Sequence, residues 1–469
     1  MFEAVIGLEI HLALRTGSKM FCGCAAESLG LLPNVNTCPV CLGLPGSLPV
    51  VNREAIEKAL RFSLALNCQV PEVTQFHRKH YYYPDAPKNY QISQFDRPVG
   101  EHGFVELEAG RRIGVTRCHV EEDAGRSVHP PYAPYSLVDL NRAGAPLIEM
   151  VTEPDLRTPE EAREFLVKIR AIAQALDVSD ASPEAGKMRA DVNVSIRLPG
   201  EALGTKVEVK NLNSFKSVQN ALAFEIKRQT DLLESGRSVL QETRGWNEGG
   251  QRTYSMRSKE ETADYRYFPD PDLPPMRVAE KWLETVRAAT PELPDAKRER
   301  YRELGLRAFD AGLIAFDVEL ATFFDRAVRV YEGEAQLLAN WLNGDVAGHL
   351  NANDLALSRS KLSPENLASL LTLVDEGAIS GKTAKDVLPL VIDGGDPKTI
   401  VEERGLKQIT DLGAIEALVD AVIAANPAVV ERVKENPKVI NVLLGQVMKE
   451  SRGKAKPDAV RELLNEKLG

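Results

Sequence analysis

Glu3-Ala4-Val5-Ile6-Gly7-Leu8-Glu9-Ile10-His11-Leu12-Ala13-Leu14 reads as a β-strand with two unlike faces. Its even positions, Ala4, Ile6, Leu8, Ile10 and Leu12, are apolar and face a core, whereas Glu9 and His11 emerge side by side on the other surface. The pattern recurs in Asp191-Val192-Asn193-Val194-Ser195-Ile196-Arg197 and again in Lys206-Val207-Glu208-Val209-Lys210. A single strand of this kind is explained by a solvated sheet face with ion pairs. Three of them, carrying Glu, His, Asp, Asn and Lys in place of neutral Thr or Ser, describe a floor for a divalent cation and phosphate.

Around these strands, the stretch up to about residue 290 is rich in short alternating runs, Gly and Pro pairs and aromatic turns, with helices interleaved at Ala55 to Leu66 and Pro159 to Leu176. The second helix opens on Thr158-Pro159-Glu160-Glu161, an N-cap, an N1 proline and an acidic first turn. Past Thr290-Pro291-Glu292-Leu293-Pro294 the strands cease. Leu320, Phe323, Phe324, Ala327 and Val328 form a helical stripe, and Ser363-Pro364-Glu365 starts a helix carrying Leu367, Leu370, Leu371 and Val374. After Gly394-Gly395-Asp396-Pro397 and Gly405 a last unit carries Ile440, Leu443, Leu444, Val447 and Met448 on one face. The expected fold class is α+β, with a β-rich domain over 1–293, an all-α domain over 294–404 and a small helical tail over 405–469.

The chain has 469 residues, 43% of them hydrophobic and 27% charged, enough for several cores and too ordinary for long disorder. Met1-Phe2-Glu3-Ala4 has no basic leader, and no run of some 18 uncharged apolar residues occurs, so a soluble cytoplasmic protein with no membrane partner is expected. A formal net charge of −10 argues against a protein that coats nucleic acid nonspecifically. The end of the chain departs from that balance. From Pro437 to Gly469 there are seven basic residues (Lys438, Lys449, Arg452, Lys454, Lys456, Arg461, Lys467) against four acidic ones. Cys22-Gly23-Cys24 and Cys38-Pro39-Val40-Cys41 are two close thiol pairs, which favour a closed tetrahedral Zn²⁺ shell with a structural role. Cys68 and Cys118 read as ordinary buried thiols.

Between the first two polar strands lies Cys118-His119-Val120-Glu121-Glu122-Asp123-Ala124-Gly125-Arg126, whose three adjacent carboxylates repel one another unless a cation joins them. Mg²⁺ takes one or two carboxylates and keeps the remaining positions for water or phosphate, which suits Glu9, Glu122 and Asp191 with His11 nearby. His80-Tyr81-Tyr82-Tyr83-Pro84-Asp85, Lys88 to Gln94 and Asp264 to Asp272 interleave aromatic rings with cations, as a stacked base and a held phosphate require. A rigid loop packed on a sheet explains the same residues. No phosphate-binding glycine loop and no G-x-S-x-G elbow is present, so a nucleotide is held by metal and side chains, and ammonia, if used, comes from another chain.

Val5 to His11, Tyr82-Tyr83-Pro84-Asp85, Tyr90 to Gln94, His119 to Gly125, Asp139-Leu140-Asn141-Arg142, Val209 to Phe215, Gln241-Glu242-Thr243-Arg244 and Tyr265 to Pro269 together resemble the B subunit of the aspartyl/glutamyl-tRNA amidotransferases, essentially end to end. That resemblance implies ATP-dependent phosphorylation of the side-chain carboxylate of Glu or Asp mischarged on tRNA(Gln) or tRNA(Asn), followed by displacement of phosphate by ammonia. It implies a heterotrimer with an amidase-type A subunit and a small C subunit. The implied fold is a β-rich cradle on an antiparallel sheet, a helical domain, and a helical tail that grips the tRNA. The family's Mg²⁺ pattern falls on Glu9, His11, Glu122 and Asp191, with Glu149 and Glu208 as neighbours. Lys79, Lys88, Arg189, Lys206 and Lys210 are expected at the phosphates of ATP on physical grounds. Two other functions account for parts of the pattern: a zinc-stabilised RNA-binding protein without catalysis, and an ATP-dependent ligase of a small carboxylic acid.

Overall fold

The computed structural model describes residues 2–258, 264–408, 412–451 and 454–468; Arg452 of the basic tail lies outside them. The chain divides into two compact units, Met1–Pro294 and Asp295–Gly469. The first is built on an eight-stranded sheet in the order Arg252–Ser258, Glu242–Asn247, Val207–Lys210, Met188–Arg197, Glu3–Ala13, Pro146–Thr152, Arg112–Glu122, Gly100–Glu106. The opening strand therefore lies in the sheet interior, antiparallel to both neighbours.

Alternation decides what each face of this sheet meets. Ala4, Ile6, Leu8, Ile10 and Leu12 are all buried, in one hydrophobic core with Ile56, Leu60, Phe165, Ile169, Val218 and Leu222 of three covering helices. Each large aliphatic side chain so buried contributes about 1.5–3 kcal/mol relative to exposure. The helices are Arg53–Ala65, Pro159–Ala175 and Phe215–Glu234, and each begins where a side chain satisfies an orphan backbone donor. Asn52 accepts from the Ala55 amide at 3.2 Å, Thr158 from Glu161 at 3.1 Å and Ser214 from Ser217 at 3.0 Å.

One expectation for the sheet changes. Val207–Lys210 pairs in parallel with Glu242–Asn247, so the sheet is mixed where an antiparallel one was expected. The connection explains it, because helix Phe215–Glu234 carries the chain back along the sheet before the next strand begins.

Strand Arg112–Glu122 contains a bulge. Val115 pairs with Thr152 and Arg117 with Val151, so Thr116 is an extra residue without a cross-strand partner. Before it the core-facing residues are Ile113 and Val115; after it they are Cys118 and Val120. The parity flips, and His119 and Glu121 turn to the polar face.

A small three-stranded sheet, His77–His80, Tyr90–Ser93 and Phe268–Pro269, stands against the end of this strand. The Val120 amide donates to Gln94 Oε1 at 2.9 Å and the Ser93 hydroxyl to Glu121 at 3.2 Å. Arg78 donates to Asp270 at 2.8 Å and to Asp272 at 3.0 Å, pinning the third strand to the first.

In the second unit, helices Val318–Ala327 and Pro364–Asp375 are capped by Asp317 and Ser363, which accept from Leu320 and Asn366 at 3.0 Å each. Two separate apolar clusters occur there, one gathering residues from Tyr301 to Val401 and the other from Ile415 to Leu464. No single helix among the described residues is long and apolar enough to cross a membrane. The bent pair Gly413–Ala425 and Pro427–Val433 has the composition, but Ile415, Val419, Val422 and Val433 belong to the second cluster of this unit.

Inserting one alanine between Arg117 and Cys118 should reverse the alternation beyond it and drive His119 and Glu121 toward the apolar core, costing more than about 4 kcal/mol. Thr116→Ala, which keeps the extra residue and loses only a hydroxyl bonded to Glu153, should cost about 1 kcal/mol. Thermal unfolding of the two variants checks this, and equal melting temperatures would show that parity along this strand does not set its faces.

Candidate active site

The polar face of the sheet carries two rows of functional side chains, set by register. In the first, His119 pairs across to Glu149, Glu149 to His11, and His11 to Arg189. In the second, Glu9 lies opposite Asp191. Strand pairing thus closes gaps of more than a hundred positions in sequence into neighbouring sites.

His11, His119, Glu121 and Glu149 form a closed ring. The His11 Nε2 lies 3.2 Å from Glu149 and 3.6 Å from Glu121; the His119 Nε2 lies 3.3 Å from Glu149 and 3.6 Å from Glu121. Burial by itself lowers the pKa of an imidazole, but the two carboxylates outweigh it, raising His11 and pushing His119 up to about 9. Reciprocally, burial would raise the carboxylates, and the imidazoles hold Glu121 below the usual range and Glu149 well below it. Ligand atoms of His11, Glu121 and Glu149 all lie within 4.8 Å of one another, two hard oxygens and one nitrogen that can face a single cation. This donor set fits Mg²⁺ and leaves room for oxygen ligands from a phosphate.

The cluster opens on a cavity of about 550 Å³. Lys79, Arg189 and Lys210 line it as cations, and Glu121, Asp123 and Asp191 as carboxylates, with Asn211 and Asn213 adding neutral amides. Arg189 reaches Asp123 at 3.3 Å, and Lys210 reaches Asp191 at 2.6 Å and Glu208 at 3.0 Å. Burial disfavours the Lys79 ammonium, but nearby Glu121 and other groups raise its pKa, and the ammonium lies 5.1 Å from the centre of the Tyr265 ring. Tyr81 and Tyr83 complete an aromatic wall with Tyr265.

Cys22, Cys24, Cys38 and Cys41 form a second donor set. Their sulfur atoms lie within 4.8 Å of one another, close to the ~3.8 Å edge of a tetrahedron with Zn–S bonds of about 2.3 Å. The Cys22 thiol beside it, the Cys38 amide at 3.1 Å and the Lys19 ammonium at 3.7 Å draw the Cys41 thiol down to about 4 against its burial. Cys22 is pushed up in turn. One thiolate held among neighbouring thiols is a set that a divalent ion would complete by displacing the remaining protons.

Comparison with known proteins decides the family. The profile described as the GatB/GatE catalytic domain matches residues 4–284, and the GatB domain profile matches residues 322–468. The chain belongs to the GatB family. It is 56% identical to the B subunit of the aspartyl/glutamyl-tRNA(Asn/Gln) amidotransferase of Thermus thermophilus, over 100% of both chains. The B subunit of Deinococcus radiodurans is 55% identical, over 100% of this chain and 99% of that one, and that of Carboxydothermus hydrogenoformans 51% over the same shares.

Within this GatB-family frame the residues singled out in the sequence separate into groups. His11 and Glu149 meet in the cluster, and Glu9 and Asp191 lie on the same face, where Asn193 donates to Glu9 at 3.0 Å. Lys79, Arg189 and Lys210 reach the cavity. Glu122 does not join His11. Following Glu121 in an extended strand, it points the other way, where Lys88 bonds its carboxylate and the Ile92 amide donates to it at 2.9 Å. Lys88 is thereby kept from the cavity, Lys206 stays exposed, and Glu208 is held by Lys210 and by the Thr243 hydroxyl at 2.8 Å. The repulsion expected among Glu121, Glu122 and Asp123 is relieved by protein groups: histidines at the first, Lys88 at the second, and Arg142 and Arg189 at the third. Glu121, His119 and Asp123 were missed as site residues, and the signal that could have found them is the shift of apolar parity from Ile113 and Val115 to Cys118 and Val120.

Lys88 and Glu122 are both buried, so Lys88→Met, which strands the carboxylate, should cost about 3–5 kcal/mol. Adding Glu122→Gln should restore most of that loss. Urea unfolding of the two single variants and the double variant measures the coupling, and simple additivity would show that the pair is not one unit.

Proposed function

We propose that this chain is the carboxylate-activating subunit of a glutamine-dependent aspartyl/glutamyl-tRNA amidotransferase, a carbon–nitrogen ligase of translation. ATP phosphorylates the side-chain carboxylate of Glu or Asp mischarged on tRNA(Gln) or tRNA(Asn), and ammonia displaces the phosphate to leave the amide. The observation that carries this reading is 56% identity across the whole of a named B subunit, in a chain whose wet sheet face holds the donors such chemistry needs.

Mg²⁺ with ATP would supply the phosphoryl group and screen its charge. His11, Glu121 and Glu149 are the residues proposed to hold the metal, and Glu9 and Asp191 on the adjoining row would add carboxylates for a further cation. Lys79, Arg189 and Lys210 would take phosphate oxygens, and the Tyr81, Tyr83 and Tyr265 rings would meet a base or ribose. No protein nucleophile is required, because the substrate carboxylate attacks and the site has only to position it and neutralise charge. Ammonia would come from an amidase-type A subunit, with a small C subunit completing a cytoplasmic heterotrimer. Cys22, Cys24, Cys38 and Cys41 would hold one structural Zn²⁺. The basic residues of the tail, which include Lys438, Lys449 and Arg461, would hold the body of the tRNA.

His11→Ala and Glu121→Gln should each lower tRNA-dependent ATP cleavage and amide formation together, by about 10²-fold or more. The assay uses the assembled enzyme with mischarged tRNA, and ATP cleavage that persists at the wild-type rate would place the metal elsewhere. Activity that survives omission of tRNA would instead point to a small-acid ligase. Elemental analysis of chelator-free protein should find about one zinc per chain, and Cys22→Ser should lower the melting temperature more than it slows the chemical step. Truncation at Gly405 should weaken tRNA binding in a salt-dependent way while leaving ATP binding intact, as titrations at two salt concentrations would reveal.

A further inference from the structure

Lys19 is 0% exposed, the most deeply buried cation among the described residues. Its ammonium donates to the Asn36 carbonyl at 2.8 Å and to Cys41 Sγ at 3.7 Å. Lys58 and Lys88, whose side chains are nearly as buried, each pair with a carboxylate, that of Asp177 or Glu122. No carboxylate among the described residues pairs with Lys19. An ammonium taken out of water needs an opposite charge beside it, and the sulfur of Cys41 is the neighbouring group that can carry one.

The residue stands at the seam between the two thiol pairs. Its amide donates to the Cys24 carbonyl at 2.8 Å, beside the first pair, while its side chain crosses to Asn36 and Cys41 on the loop of the second. Both sides of it are fixed. Asn52, the N-cap of helix Arg53–Ala65, donates its side-chain amide to the Ser18 carbonyl at 3.0 Å and the Lys19 carbonyl at 3.2 Å, and the Met20 amide donates to the Gly144 carbonyl at 2.8 Å. A Cβ on Gly144 would come within 3.3 Å of Cys41 Cβ and 3.5 Å of Lys19 Cδ, so the lysine stem and the cysteine lie side by side beneath a glycine. Lys19 is also the only Lys, Arg or His between Arg15 and Arg53, the stretch that carries all four cysteines of the set.

Four thiolates around one divalent ion leave two excess negative charges at the centre. Cys22, Cys24 and Cys38 are half-buried and Cys41 is buried, so water reaches the charge at the first three and the Lys19 ammonium meets it at the fourth. We propose that Lys19 is the built-in counter-cation of the four-cysteine set, offsetting one of the two excess charges of the metal-loaded centre and thereby setting how firmly the ion is held. This rests on the reading of Cys22, Cys24, Cys38 and Cys41 as a zinc site. Lys19 is no ligand itself: an ammonium has no lone pair to give, and it acts through the sulfur beside it.

The test is competition for zinc between the purified full-length chain and the chromophoric chelator pyridylazoresorcinol. Lys19→Met removes the charge and the donor, whereas Lys19→Gln removes the charge and keeps a donor for the Asn36 carbonyl. Both should hold zinc about 10–100-fold less tightly than the wild type, the usual loss when an outer partner of a metal ligand is removed. At saturating cobalt both should still show the absorption bands of a tetrahedral four-sulfur centre, because no ligand has gone. Metal-free, the variants should melt no lower than the metal-free wild type, and the rise in melting temperature on adding zinc should be smaller. Lys58→Met, which removes a buried lysine far from the cysteines in sequence, should hold zinc as the wild type does. Wild-type zinc retention by Lys19→Gln would overturn the proposal, since a hydrogen bond and not a charge would then be what matters. Equal loss of stability with and without zinc would overturn it too, by making Lys19 a packing residue. If the wild-type chain takes up neither zinc nor cobalt, the zinc reading itself falls, and the role of Lys19 with it.

Discussion

A β-strand can serve a dry face and a wet face at once only while its residues keep to a period of two, and the site depends on one place where that period is broken. The extra residue at Thr116 lets Ile113 and Val115 face the core before it and Cys118 and Val120 after it. Without that shift, His119 and Glu121 would belong to the core and the ring with His11 and Glu149 could not form. The small sheet that walls the cavity also depends on it, since Ser93 meets Glu121 and Gln94 meets the Val120 amide at the end of the same strand.

Charge on this face is balanced locally before any ligand arrives. Glu121 and Glu149 share two imidazoles, Asp123 shares two guanidinium groups, and Asp191 and Glu208 share Lys210. A cluster of carboxylates is therefore no sign of a metal by itself. What distinguishes His11, Glu121 and Glu149 is convergence, three donor atoms close enough to face one ion, beside a cavity with cations on its wall. A phosphate-bearing ligand such as the ATP proposed for this cavity would exchange internal ion pairs for contacts to phosphate, which keeps the cost of burying its charge low.

Much of this was legible in the amino-acid sequence, and the reasons for the rest are local. The opening strand was readable because all five of its even positions are apolar, and the helix at Pro159 because Thr158 and two acidic residues announce it. His11, Glu9 and Asp191 could be placed on one face because their strands alternate without interruption. Glu122 came from the family resemblance, and only the shift of apolar parity from Ile113 and Val115 to Cys118 and Val120 separates it from Glu121. Lys88 and Lys206 were indistinguishable from Lys79 and Lys210 by composition, and only the small sheet and the strand end decide which ammonium reaches the cavity. The parallel pairing of Val207–Lys210 was hidden for a similar reason, since a four-residue strand does not say which neighbour it will find.

The place of the opening strand inside the sheet has a further consequence, for the growing chain. Glu3–Ala13 is made before its partners Pro146–Thr152 and Met188–Arg197, so it has neither neighbour until well over a hundred more residues have been added. At roughly 5–20 residues per second that wait is on the order of ten seconds or more, during which an apolar strand with two bare edges is open to pairing with other nascent chains. Glu9 and His11 are the only ionisable side chains between Glu3 and Arg15. These two residues are what interrupts an otherwise aggregation-prone run, and replacing either with an apolar side chain would remove that guard from a chain not yet able to fold.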